Sequence, residues 1–142
     1  MKTIDDVKVI PFNTYTEESV GNDWGTLVPL DFIDDISFDV KRMFYVYNVG
    51  DRHKRGEHTH YNTEQVLICI NGSCGVFCKD GKNVKYTLLD SPSIGLYIPN
   101  MIWDEQIYMS KDSVLLVLCS TRYDRSDYVE DWEEYLKAQG LS

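Results

Sequence analysis

Between residues 64 and 120 the chain repeats one pattern: a short apolar run, then a turn. Runs this short are strands more readily than helices, so the spacing predicts strands at 7–12, 26–30, 41–49, 64–70, 73–79, 83–89, 94–98, 102–108 and 113–120. Asn71-Gly72 and Asp80-Gly81 read as hairpin turns, because both dipeptides accept positive φ at little cost. Val66-Leu67-Ile68 and Val114 to Leu118 are continuous rather than alternating, as expected of strands covered on both faces. The tail alone reads as helix. In SDYVEDWEEYLKA, Ser126 is the expected N-cap and acids fill the first turn. Tyr128, Trp132, Tyr135 and Leu136 recur there at helical spacing, a stripe expected to pack outside the sheets. Many short strands with regular turns predict an all-β sandwich or jelly-roll barrel, a shape that can hold a ligand among inward-facing alternate residues.

The 142 residues fit one domain, and 43% hydrophobic with 13% aromatic residues describes a folded chain with a substantial core. A formal net charge of -9 argues against general nucleic-acid or membrane-surface binding. The acids gather at Asp31, Asp34, Asp35 and Asp39 and again from Asp124 to Glu134, which reads as two solvated faces. The opening MKTIDDVKVI has no long apolar run, so a cytoplasmic protein is expected. Its four cysteines, Cys69, Cys74, Cys78 and Cys119, would then be reduced thiols with no CxxC pair for zinc, and Cys69, Cys78 and Cys119, in apolar runs, read as core or strand residues.

RGEHTHYNTEQ, residues 55–65, carries two of the three histidines one residue apart in an extended stretch. Strand alternation puts His58 and His60 on one face, with Glu57, Thr59 and Tyr61 on the other. Two readings follow. Paired imidazoles can ligate a metal, or they can take and return a proton near neutral pH. A metal-binding cupin would add a carboxylate near Glu64 or Gln65 and a histidine where Asp104 stands. Gln65 fits the acidic place better than Glu64 and is a poor ligand, so no metal is expected. Proton transfer between adjacent atoms of one substrate is keto–enol isomerisation, and nearby aromatics such as Tyr45 and Tyr47 suit a sugar.

Several segments in order resemble the sugar-nucleotide 3,4-ketoisomerases of the cupin superfamily. They are KRMFYVYNV (41–49), RGEHTH (55–60), EQVLICINGSCGV (64–76), SPSIGLYIPNMIWDE (91–105) and SVLLVLCSTRYDRSDYVEDWEEYL (113–136). The resemblance implies a cupin jelly roll with a short C-terminal helix. It implies a homodimer, often with exchanged N-terminal strands, that uses no metal or organic cofactor. The implied substrate is dTDP-4-keto-6-deoxy-glucose. The implied acid/base residues are His58 and His60, with roles undivided. Arg42, Tyr45, Tyr47, Arg55, Gln65, Trp24, Trp103 and Asp104 are the implied substrate contacts; Arg42 and Arg55 would face the pyrophosphate or the enolate. Glu57, Thr59 and Tyr61 depart from the family but by alternation point away from the histidines, and two further departures fall near the sugar. Trp24 stands where Arg or Tyr is common, and Asp104 where His or Arg is common. Both places bear on the face from which C4 is reprotonated. Rival readings are a non-catalytic dTDP-sugar-binding cupin, a sugar-nucleotide epimerase and a metal-dependent cupin. Trp103 and Tyr97 can equally be core residues, Arg42 a structural ion pair, and Tyr123 and Tyr128 packing residues of the tail.

Overall fold

The computed structural model describes residues 1–16 and 25–141. Its strands are β1 (Lys8–Pro11), β2 (Tyr15–Thr16), β3 (Thr26–Leu27), β4 (Arg42–Val46), β5 (Lys54–His60), β6 (Gln65–Asn71), β7 (Cys74–Lys79), β8 (Val84–Leu89), β9 (Ile94–Ile98), β10 (Trp103–Tyr108), β11 (Val114–Cys119) and β12 (Tyr128–Val129). One α-helix follows, α1 (Trp132–Ala138). Two five-stranded antiparallel sheets result, in the orders β1-β9-β6-β11-β4 and β12-β5-β10-β7-β8, with β2 and β3 as a separate ribbon. From β4 to β12 the chain changes sheet at every connection except β7 to β8. That path is the expected all-β jelly roll with a short C-terminal helix. The sheets are held by side chains and are not hydrogen-bonded edge to edge into a closed barrel.

Alternation builds the core. Leu67, Cys69, Leu96, Ile98, Leu115, Val117 and Cys119 of the first sheet meet Cys74, Val76, Cys78 and Tyr108 of the second, all buried. All four cysteines are free and buried. The continuous runs in β6 and β11 are indeed covered twice. Their other side chains, Val66, Ile68 and Leu118, pack under Phe12, Ile36 and Phe38, with Val28, Leu30 and Val40 alongside. This covering segment explains why the expected strand 26–30 stops at Leu27. Beyond it the chain lies across the outer face of the sheet instead of joining an edge.

Two local expectations change. Asp80-Gly81 does close a hairpin, with Lys79 opposite Val84 and the Asp80 carboxylate accepting from the N–H groups of Lys82 and Asn83 at 2.9 and 2.8 Å. Asn71-Gly72 does not, because β6 and β7 lie in different sheets, so that turn is a corner between layers. The tail helix starts at Trp132, with Asp131 as its N-cap in place of Ser126. Arg125–Asp127 form a single 3-10 turn capped by Asp124, and Tyr128–Val129 then pair with β5. Sheet pairing takes these residues before a helix can claim them. Among the described residues no helix is long and apolar enough to cross a membrane.

Candidate active site

β5 is irregular where it matters. Gly56 and Glu57 both have left-handed φ, +83° and +58°. Pairing with β10 jumps from His58↔Asp104 to Gly56↔Glu105, so β5 carries one extra residue, a bulge. Strict alternation would set Arg55 opposite His58. The bulge reverses that parity, and Arg55, Gly56 and His58 line one cavity. Glycine is required at 56 twice over: for its φ, and because a Cβ there would lie 3.0 Å from the Asp104 carbonyl oxygen.

The cavity, about 310 Å³, opens between the sheets. Its wall is Arg42, Phe44 and Val46 of β4, the three β5 residues, Gln65 of β6, Gln106 and Tyr108 of β10, Leu115 and Val117 of β11, and Tyr128 of β12. An apolar wall with a few converging polar groups is the usual form of a small-molecule site. The two histidines meet here. Their Nε2 atoms are 3.1 Å apart, so one carries the proton and the other accepts it. They are not equivalent. His58 lies on the wall, whereas His60 is only 4% exposed and sits behind it. The Tyr128 ring packs on both, 5.1 Å from the His58 centroid and 4.4 Å from that of His60. On the far side, His60 Nδ1 is 3.3 Å from Asp127 Oδ2, close but not aligned as a hydrogen bond. Burial, seconded by the neighbouring His58, pushes His60 down to about 4, with Asp127 opposing. His60 is therefore neutral at pH 7.

Arg42 has no carboxylate partner among the described ion pairs. Its guanidinium lies 5.6 Å from the Phe44 ring centroid and 5.5 Å from that of Tyr123, and its buried Nε has no partner among the described residues. Gln65 is buried with its amide 3.6 Å from Cys119 Sγ. Asp104 is buried and accepts from Gln106 Nε2 at 2.6 Å. Burial pushes its carboxyl up. It stands behind the Gln106 wall position and does not itself line the cavity. Tyr45 and Tyr47 do not line it either: inward residues of β4 are Arg42, Phe44 and Val46, so Tyr45 points outward, and both tyrosines are exposed. Trp103 faces the other way from Asp104, packs against Trp132 and Tyr135, and donates to Glu105 at 3.1 Å. Trp24 lies outside the described residues.

Sequence reasoning missed four residues. Gln106 and Tyr108 were findable, since alternation from Asp104 puts them on one face. Tyr108 is fully buried and its hydroxyl has no partner among the described residues. Asp127 and Tyr128 gave no such signal. They sit in an acidic stretch with helical spacing, and reach the site through pairing of Tyr128 with His60. The expected solvated face from Asp124 to Glu134 holds for five exposed acids, with Asp124 and Asp131 also serving as caps, and fails at one buried carboxylate, Asp127. Among the described residues no three His, Cys, Asp or Glu side chains are grouped to hold a metal ion.

Residues 5–140 match the family described as "FdtA: WxcM-like, C-terminal". The chain is 39% identical over 113 residues to the TDP-4-oxo-6-deoxy-alpha-D-glucose-3,4-oxoisomerase of Aneurinibacillus thermoaerophilus, covering 80% of this chain and 81% of that one. Its structure is similar to a 3,4-ketoisomerase from Helicobacter canadensis, with a TM-score of 0.88, 35% identity, and coverage of 95% of this chain and 98% of the other. It is equally similar to a histidine-to-asparagine mutant of the ketoisomerase QdtA from Thermoanaerobacterium thermosaccharolyticum in complex with TDP-4-keto-6-deoxyglucose. There the TM-score is 0.88, the identity 35%, and 94% of each chain is covered.

Proposed function

The chain belongs to the FdtA/WxcM-like family, and from that premise we propose that it is a 3,4-ketoisomerase acting on dTDP-4-keto-6-deoxy-D-glucose. The observation that carries this reading is the contact of two imidazoles, Nε2 to Nε2 at 3.1 Å, at the wall of a cavity that also presents Arg42 and Arg55.

The chemistry follows from the carbonyl. A keto group at C4 acidifies the hydrogen on C3. His58, on the wall, removes that proton, and the electrons left behind form an enediolate across C3 and C4. A proton returned to C4, with the O3 proton shifting toward O4, gives the 3-keto sugar. Positive charge from Arg42 and Arg55 steadies the enolate or the pyrophosphate. Tyr108 Oη and Arg42 Nε are buried behind the cavity wall, with no hydrogen-bond partner among the described residues. No step needs an oxidant, since one carbon is reduced as its neighbour is oxidised. The protein works as one cupin domain in the cytoplasm, as a homodimer. Its product goes to an aminotransferase that makes a 3-amino-3,6-dideoxyhexose for a surface glycan.

The test is incubation with dTDP-4-keto-6-deoxy-glucose in deuterated buffer, followed by proton NMR. The expected result is a 3-keto sugar carrying deuterium at C4. His58→Asn should lower turnover by about a hundred- to ten-thousandfold, the usual worth of one acid/base group. Nucleotide binding without any keto transfer would leave a sugar-nucleotide-binding cupin instead.

A further inference from the structure

We infer that Asp127 is a positioning residue for the histidine pair: it fixes the tautomer of His60 and, through the Nε2–Nε2 contact, leaves the free ring nitrogen of His58 as the basic atom. The inference rests on the isomerase reading only for its kinetic arm.

Two contacts in series carry it. Asp127 Oδ2 is 3.3 Å from His60 Nδ1, and His60 Nε2 is 3.1 Å from His58 Nε2. His58 lines the cavity, while Asp127 and His60 are both buried. A neutral imidazole has one N–H and one lone pair. If His60 carried its proton on Nε2, its Nδ1 lone pair would face a carboxylate with little water between them. Placing the proton on Nδ1 replaces that repulsion with attraction. His60 Nε2 must then accept, so His58 donates its Nε2–H, and His58 Nδ1 keeps the lone pair. When His58 Nδ1 takes the C3 proton, the Nε2–H of His58 can pass to His60 Nε2. That transfer is transient, because burial disfavours charge on His60, and the return path restores both protons. Nothing is gained or lost over the cycle.

Asp127 also has a structural duty. Its carboxylate accepts from Asn62 N–H at 2.7 Å and from the Thr63 hydroxyl, and its backbone carbonyl accepts from Tyr61 N–H at 2.9 Å. Those bonds hold it against the end of β5. They also make a test possible, because Asp127→Asn keeps an oxygen for Asn62 while removing the charge. Thr63→Ser keeps the hydroxyl donor and leaves the charge in place.

The experiment is two-bond proton–nitrogen correlation NMR of the imidazole rings, which resolves tautomers. The chain has only three histidines, and the third, His53, is exposed. The wild type should show His60 protonated at Nδ1 and His58 at Nε2. Asp127→Asn should move His60 toward Nε2–H, and Thr63→Ser should leave both as in the wild type. In turnover, Asp127→Asn should lower kcat by about tenfold or more with KM little changed, as when the carboxylate behind a catalytic histidine is lost. Thr63→Ser should stay close to the wild type. A wild-type His60 protonated at Nε2, or tautomers and kcat both unchanged in Asp127→Asn, would overturn the inference. If the wild type turned over no substrate, the tautomers would still decide it, and only the isomerase reading would fall.

Discussion

His60 binds fewer protons folded than unfolded, because its pKa falls from 6.5 to about 4 in the buried site. The unfolded chain therefore gains stability relative to the native one as pH drops through that window. The contribution of neutral His60 is complete above pH 6.5 and is lost progressively toward pH 4, up to about 3 kcal/mol. Melting curves from pH 7 to 4 should show this decline, and His60→Gln should flatten it; an equally steep decline in the variant would place its origin elsewhere. Arg42 makes a separate prediction. Its guanidinium has aromatic neighbours and no carboxylate partner among the described residues, so its charge is open to an anionic ligand. Charge-assisted hydrogen bonds of this kind are worth roughly 1.5–3 kcal/mol, so Arg42→Ala should raise KM for the dTDP-sugar about ten- to a hundredfold. Unchanged KM with lower kcat would move Arg42 from binding the substrate to stabilising the enolate.

The bulge in β5 is the element that makes a site out of a strand. It brings Arg55 and His58 to one cavity, although their separation by three residues is odd. Gly56→Ala would add strain at φ +83° and press a Cβ to 3.0 Å from the Asp104 carbonyl oxygen. Such strain costs roughly 1–3 kcal/mol. The variant should melt several degrees lower and lose turnover as the bulge relaxes, whereas an unchanged melting temperature would show that β5 tolerates a side chain there. The same element marks the limit of reading by periodicity. Strand alternation correctly placed His58 and His60 together, because the bulge lies before both. It could not place Arg55, because a period of two fails across an inserted residue. In the tail, helical spacing holds only within α1, where Trp132 and Tyr135 pack on Trp103. Tyr128 is held by pairing with His60, a contact between residues far apart in the chain.

At the scale of the molecule, β4 ends its sheet with an edge that no other strand among the described residues pairs. Met43, Tyr45 and Tyr47 stand on or beside it, 53%, 59% and 67% exposed. An apolar edge of this kind is normally covered, and the proposed homodimer would cover it. Sedimentation should give a dimer for the wild type and a shift toward monomer for Tyr45→Asp; a monomeric wild type would remove the dimer from the proposal. The placement of Tyr45 and Tyr47 outside the cavity belongs to this scale too, since it follows from which side of β4 faces the other sheet. Much of the fold was legible because apolar runs, their lengths and their turns are local properties. Continuous runs at Val66–Ile68 and Val114–Leu118 announced strands covered on both sides, and they are. The paired histidines were legible because two residues on one strand keep their relation in any fold that preserves the strand. What joins strands is not local. Asn71-Gly72 and Asp80-Gly81 carry the same turn signal, yet one is a corner between sheets and the other a hairpin. Likewise Asp127 reads in sequence as one more surface acid. Only the tertiary structure brings it 3.3 Å from His60, because the energy that seats it comes from Tyr61, Asn62 and Thr63, more than sixty residues away.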